Sequence, residues 1–276
     1  MARFRPTELK KYLEEIGAMP KKGLSQNFLI DGNILKKIVA LAEIKPEDTV
    51  LEIGPGPGAL TEQLIDAGCK VIAIEKDDLF AKAFLSQNIP NLQVIHADVM
   101  ELSFADLFGA LPKKVKVVAN LPYSLTTPIL YKILKAHTFI ESATLMVQEE
   151  VARRFLTPSY GAVNLLIGYY SKARYGFFVS RKSFYPAPRV DSAVIHLSVE
   201  KRFSVEDEAL FFEMVERAFS MRRKTLTSSL REYFPQEIIQ TALEALKKSP
   251  TSRPEELSLE EWVKFFTYIP KSRQIK

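Results

Sequence analysis

A single cysteine, Cys69, is all the thiol that the 276 residues contain. One cysteine excludes an internal disulfide and argues against a cysteine-ligated zinc site, so no metal centre is expected. No run of about 18 uncharged apolar residues occurs, so no helical membrane span is expected. The first residues carry Arg3, Arg5, Lys10 and Lys11 with no apolar stretch behind them. A secretory signal is therefore not expected, and the chain reads as cytoplasmic. Internal repeats and low-complexity tracts are missing as well.

What is present is core material. Hydrophobic residues make up 47% of the chain, enough at this length for one large α/β domain with a smaller appendage. The net charge of +5 is unevenly spread: residues 25–150 hold 11 Lys/Arg against 16 Asp/Glu, and the remainder holds 27 against 17. The middle reads as an ordinary catalytic core, and the flanks as surfaces suited to a polyanion.

Asp31 is placed to cap a helix whose apolar face is Ile34, Leu35, Ile38, Val39 and Leu41. Strands are predicted at 49–53, 71–74, 92–96, 115–119 and 143–147, with helices at 59–67, 77–88 and 148–155. Such alternation implies a parallel sheet covered on both faces. Beyond residue 168 the pattern changes. Residues 169–179 and 193–199 read as strands around a Pro-rich loop, and everything from Val205 onward reads as helix. Ser258 and Glu261 have capping-box spacing. The expected division is a catalytic domain over 1–200, beginning with a basic segment 1–24, and a helical domain over 201–276.

Three segments carry chemistry. In Leu51-Glu52-Ile53-Gly54-Pro55-Gly56-Pro57-Gly58-Ala59, glycines after a strand let a ligand approach the backbone, and the next helix points its free N–H groups at the same space. Glu75, ending the second strand, is placed to accept from two ribose hydroxyls. Both features fit either a nicotinamide dinucleotide or S-adenosylmethionine. Asp98, after the third strand, begins to separate the two, because a carboxylate there can accept from an adenine amino group. The decisive segment is Asn120-Leu121-Pro122-Tyr123 after the fourth strand. An adenine amino nitrogen is a poor nucleophile because its lone pair is delocalised. Acceptors aimed at its two hydrogens favour the tetrahedral form that attacks. The Asn120 side-chain oxygen is one, the Leu121 or Pro122 carbonyl the other, and Tyr123 offers a face for an unstacked base. Cys69 reads as a small core residue, which argues against pyrimidine carbon methylation through a thiolate.

With these segments, the chain resembles the KsgA family of small-subunit ribosomal RNA adenine dimethyltransferases. The resemblance runs over nearly the whole length and includes Leu24 to Leu29, the glycine run, Phe184 to Ala193, and Ala218 to Leu226. It implies a Rossmann-like S-adenosylmethionine-dependent methyltransferase fold with a small helical C-terminal domain. It further implies cofactor contacts at Asn27, Leu29, Gly54, Glu75, Asp98 and Asn120, and dimethylation of two adjacent adenosines near the 3′ end of 16S ribosomal RNA in the small subunit. The expected protein is a monomer with no membrane partner. Ser124 stands where the family usually has Asn, and Leu121 where the large-subunit relatives often have Ile.

Two assignments concern the RNA. Phe184 either covers the other face of the target adenine or anchors the Pro-rich loop. Arg222, Arg223 and Lys224, three consecutive cations after a helix, are expected to grip phosphate, with Arg153, Arg154 and the N-terminal arm as the alternative. The arm itself, including Phe4 and Tyr12, reads as solvated. Two competing functions stay open at this point: a non-catalytic RNA-binding assembly factor, and a nicotinamide oxidoreductase using Tyr131 and Lys135.

Overall fold

The computed structural model describes residues 4–158, 161–221 and 223–270. They form two compact units. The first comprises Met1–Arg153 with Lys172–Glu200, and the second Arg154–Ser171 with Lys201–Lys276.

The first unit is built on a seven-stranded sheet in the order β4-β3-β2-β5-β6-β9-β7, beside a two-stranded pair of β1 with β8. The strands are β1 (Phe28–Leu29), β2 (Thr49–Ile53), β3 (Lys70–Glu75), β4 (Leu92–His96), β5 (Val115–Asn120), β6 (Ile140–Gln148), β7 (Ser171–Val179), β8 (Phe184–Tyr185) and β9 (Ser192–Val199). Strands β2 to β6 pair in parallel, and β9 runs antiparallel to β6. The central strands β2, β5 and β6 are buried almost throughout. That is why they read as apolar runs rather than as alternation. Helices α1 (Pro6–Glu15), α2 (Gly32–Leu41), α3 (Ala59–Asp66), α4 (Asp78–Leu85), α5 (Phe104–Phe108) and α6 (Thr126–Lys135) belong to this unit. Local signals explain their ends. Asp31 caps α2 by accepting from Asn33 N–H at 2.9 Å and Ile34 N–H at 3.3 Å. Gly68, just beyond α3, takes the left-handed φ of +87° that favours glycine.

The N-terminal arm is solvated on one side only: Arg5, Lys10 and Lys11 are exposed, while its apolar side is buried. Leu9, Tyr12 and Leu13 of α1 are buried together with Phe28 and Phe80, and the Phe4 ring lies so close to Gly32 that a Cβ there would meet it at 2.8 Å. The charged residues had masked an i, i+3, i+4 apolar stripe.

The second unit begins within α7 (Glu149–Leu156) and contains α8 (Ala162–Tyr170), α9 (Glu208–Ser220), α10 (Leu226–Leu230), α11 (Gln236–Ala245) and α12 (Leu259–Phe266). A single cut at residue 200 does not describe this division, because residues 154–171 lie with the C-terminal helices. Residues 169 and 170, expected to open a strand, close helix α8 instead. This helix is apolar nearly all round, so it carries no helical period to read. Its Tyr169 packs against Phe212 with ring centroids 5.1 Å apart. The hydroxyls of Tyr169 and Tyr170 both donate to Glu208, at 2.9 and 2.7 Å. The capping box of Ser258 and Glu261 opens α12 as expected.

Candidate active site

Parallel strands bring their carboxyl ends to one edge, and ligands bind in the crevice outside that edge. Here the ends of β2, β3, β4 and β5 open into one cleft of about 350 Å³, a volume ordinary for a small-molecule site. Gly54, Gly56 and Gly58 after β2 have φ of +70°, +53° and +93°, a run of left-handed backbone that only glycines adopt without strain. A Cβ at Gly54 would meet nothing within 4 Å, so the backbone there faces open space.

Three carboxylates line this cleft. Glu75 is 5% exposed and accepts from Gly56 N–H at 2.9 Å and Asp77 N–H at 2.7 Å. Burial nevertheless holds its carboxyl above the usual range. Asp98 accepts from Lys76 at 2.7 Å and from Met100 N–H at 2.9 Å, and the Lys76 hydrogen bond holds it low. The third, Glu52, was read only as a strand residue. It is 1% exposed, its Oε2 has no hydrogen-bond partner, and burial raises its pKa to about 8. An acid between Leu51 and Ile53 in an otherwise apolar strand was the signal available in the sequence.

Asn120 ends β5 on the same cleft. Its Nδ2 donates to the Asn27 carbonyl at 3.1 Å, which leaves Oδ1 as the group free to accept. The Pro122 carbonyl is engaged by Leu125 N–H at 2.9 Å and by the Thr126 hydroxyl at 3.4 Å. Of the two backbone acceptors considered, Leu121 therefore offers the less occupied one. The Tyr123 hydroxyl pairs with Ser192 Oγ of β9 at 2.6 Å, which fixes the ring at the cleft edge. Ser192 was not singled out from sequence, since its distance of 69 residues from Tyr123 hides the pairing.

Asn27 and Leu29 lie in residues 21–29, a strap of which residues 23–29 also line the cleft. Asn27 Nδ2 donates to the Ser25 carbonyl at 3.0 Å, and Leu29 pairs with Phe184 across β1 and β8. Phe184 is 3% exposed and sits in the hydrophobic core. It does not line the cleft, so its burial favours the loop anchor over the base cover. Cys69 is fully buried, and burial pushes its thiol up to about 11. Neither Tyr131 nor Lys135 lines the cleft.

Of the expected RNA-docking residues, Arg154, Arg223 and Lys224 belong to the second unit, whereas Arg153 and the arm residues Arg5, Lys10 and Lys11 belong to the first. Arg222 lies outside the described residues. Arg223 and Lys224 are exposed in the turn after α9. Arg223 lines a cavity of about 510 Å³ with Arg154 and Arg253, which brings one residue from each of the two expected docking sets together.

The chain is similar to known proteins over nearly its whole length. A family model described as ribosomal RNA adenine dimethylase matches residues 18–271. A ribosomal RNA small subunit methyltransferase A from Protochlamydia amoebophila is 42% identical over 280 residues, covering 98% of this chain and 99% of that protein. One from Chlamydia caviae is 42% identical over 273 residues, covering 96% and 98%. Among solved structures, a dimethyladenosine transferase from Plasmodium falciparum superposes with a TM-score of 0.73 at 27% identity, over 87% of this chain and 96% of that one. The 23S rRNA methyltransferase ErmE superposes with a TM-score of 0.66 at 29% identity, over 88% and 99%.

Proposed function

The chain belongs to the ribosomal RNA adenine dimethylase family, and on that premise we propose a specific reaction for its cleft. Methyl groups pass from S-adenosylmethionine to the exocyclic amino groups of two adjacent adenosines in a hairpin loop near the 3′ end of 16S ribosomal RNA. The substrate is the small (30S) ribosomal subunit or its precursor, met in the cytoplasm by a monomer.

The residues present suit that cofactor. The glycine turn leaves open space at Gly54, Glu75 offers a buried carboxylate to a pair of ribose hydroxyls, and Asp98 offers an acceptor to an adenine amino group. Asn27, Leu29 and Asn120 close the same cleft. Glu52, which burial keeps mostly protonated near neutral pH, is a further buried polar group lining the cleft. When bound, S-adenosylmethionine supplies an electrophilic methyl group on a sulfonium that departs as a neutral thioether, so no strong general base is required.

The protein's task is to make the target nitrogen nucleophilic. Asn120 Oδ1 and the Leu121 carbonyl accept from the two amino hydrogens and favour the pyramidal nitrogen, an effect that is strongest where the acceptors are fixed before the base arrives. Tyr123 carries the unstacked base on its ring, and its bond to Ser192 keeps the ring in place. RNA is held by phosphate contacts from Arg222, Arg223 and Lys224, extended by Arg154 and Arg253 around the second cavity.

One observation carries this reading: the Asn120 amide is oriented by the Asn27 carbonyl in the same cleft that holds Glu75 and Asp98. Asn120→Ala is expected to slow single-turnover methyl transfer by about a hundredfold or more, as loss of a preorganised polar group does. Calorimetry is expected to show wild-type protein binding S-adenosylhomocysteine and not NAD, with the variant's affinity reduced far less than its rate. Near-normal transfer by the variant would remove Asn120 from this role.

A further inference from the structure

An asparagine serves as an acceptor only if its amide is held one way round. The Asn27 carbonyl that holds Asn120 belongs to the strap, which is neither helix nor central sheet over most of its length. At one end, β1 fixes it by pairing with β8, Phe28 opposite Tyr185. Toward the other end, the strap is fixed by one carboxylate. Asp77, 3% exposed, accepts from Gln26 Nε2 at 3.0 Å and pairs with Lys21 Nζ at 2.9 Å, both through Oδ2. Its Oδ1 meanwhile caps α4 through Leu79 N–H at 3.0 Å. Its own N–H donates to Glu75 Oε1 at 2.7 Å. Asp77 does not line the cleft.

We propose that Asp77 is a positioning residue for methyl transfer. Through Gln26 and Lys21 it fixes the strap, and through the Asn27 carbonyl the strap fixes the Asn120 amide. The inference rests on the reading of Asn120 as an acceptor for the target amine. A helix cap needs one carboxylate oxygen; Asp77 gives the other to the strap. Burial works against its ionised form, but the hydrogen bonds from Lys21 and Gln26 outweigh it and keep the charge in place. The strap is further determined along its length. Ser25 holds a left-handed φ of +52°, costly for a serine, and the Asn27 side chain bonds its carbonyl. The Ser25 hydroxyl meets that of Ser124 at 3.4 Å, which gives a use to the serine that stands in place of the family's asparagine. The Phe28 ring lies against the glycine turn, where a Cβ on Gly56 would meet it at 3.3 Å. Glu75 at the ribose end and Asn120 at the methyl-accepting end are thus joined through one buried acid.

The test uses the full chain and two variants that keep the α4 cap. Lys21→Ala/Gln26→Ala removes the strap's partners, and Asp77→Asn keeps an acceptor for Leu79 N–H while losing the charge. Hydrogen exchange of the strap amides and initial rates of transfer over a range of small-subunit particle concentrations, with methyl donor saturating, are both measured. The expected result is strap exchange accelerated about tenfold and a maximal rate slowed about tenfold or more, with KM for the particles unchanged, since a small misplacement of a reacting group is enough. Lys21→Arg in the Gln26→Ala background is expected to recover part of the rate. Normal exchange with a normal rate overturns the proposal. So does faster exchange with an unchanged rate, or a slower rate without faster exchange. If Asn120→Ala itself transfers methyl groups normally, what falls is the reading of the site on which the proposal stands.

Discussion

At the scale of single residues, the cleft keeps an acid where an apolar side chain would pack more cheaply. Glu52 is fully buried with one oxygen unpartnered, and its pKa is raised by desolvation to about 8 from a usual 4.5. A carboxyl raised in this way stabilises the fold fully below pH 4.5, and the contribution is lost as pH climbs through about 8. Stability is therefore expected to fall with pH across that window. Glu52→Gln should be unaffected by the same change, so it should gain on wild type by about a few kcal/mol between pH 5 and pH 8.5. Urea unfolding of both proteins at the two pH values checks this; parallel pH dependence would mean that Glu52 does not titrate there.

At the scale of elements, the C-terminus of α7 is finished by a side chain from the next helix. The two hydrogens of Asn164 Nδ2 are shared among the carbonyls of Arg154, Phe155 and Thr157, at 2.6, 3.1 and 2.8 Å. Asn164→Ala leaves these carbonyls without that donor and is expected to lower unfolding free energy by about 1–3 kcal/mol. Affinity for S-adenosylhomocysteine should stay unchanged, because Asn164 lies outside the cleft; denaturant unfolding and calorimetry measure the two. The same pair of helices shows where sequence reading ran out. Strands β2, β3, β5 and β6 were legible because buried parallel strands are mainly apolar runs bounded by turn residues, and the half-exposed edge strand β4 by its short apolar stretch between turns. Helix α8 is apolar on nearly every side, so its Leu165-Leu166-Ile167 and its two tyrosines suit a strand equally well. The site was legible where one segment carries it, as in Gly54 to Gly58 or Asn120 to Tyr123. It was hidden where partners lie far apart in the chain, as with Asp77 and Gln26 or Tyr123 and Ser192.

At the scale of the whole molecule, charge and chemistry are separated. The first unit carries the cleft, while Arg154, Arg223 and Arg253 line a cavity in the second. Replacing Arg222, Arg223 and Lys224 together with alanine is expected to flatten the dependence of log RNA affinity on log salt by about two units, at roughly 0.7 per single-strand phosphate contact. Cofactor affinity and melting temperature should hardly move. A wild-type slope in filter-binding titrations would shift docking to other cations.

The division of the chain also sets an order of events at its own birth. Helix α8 is made before β7 and β9, yet the helices that cover it, α9 and α12, are made after them. During synthesis Leu165, Leu166, Ile167, Tyr169 and Tyr170, all buried in the finished protein, are made before α9 and α12. They wait until residues beyond 208 follow. A chain ended at residue 200 contains every strand of the first unit and still lacks α9 and α12, so the apolar surface that α8 presents to them stays exposed and prone to association.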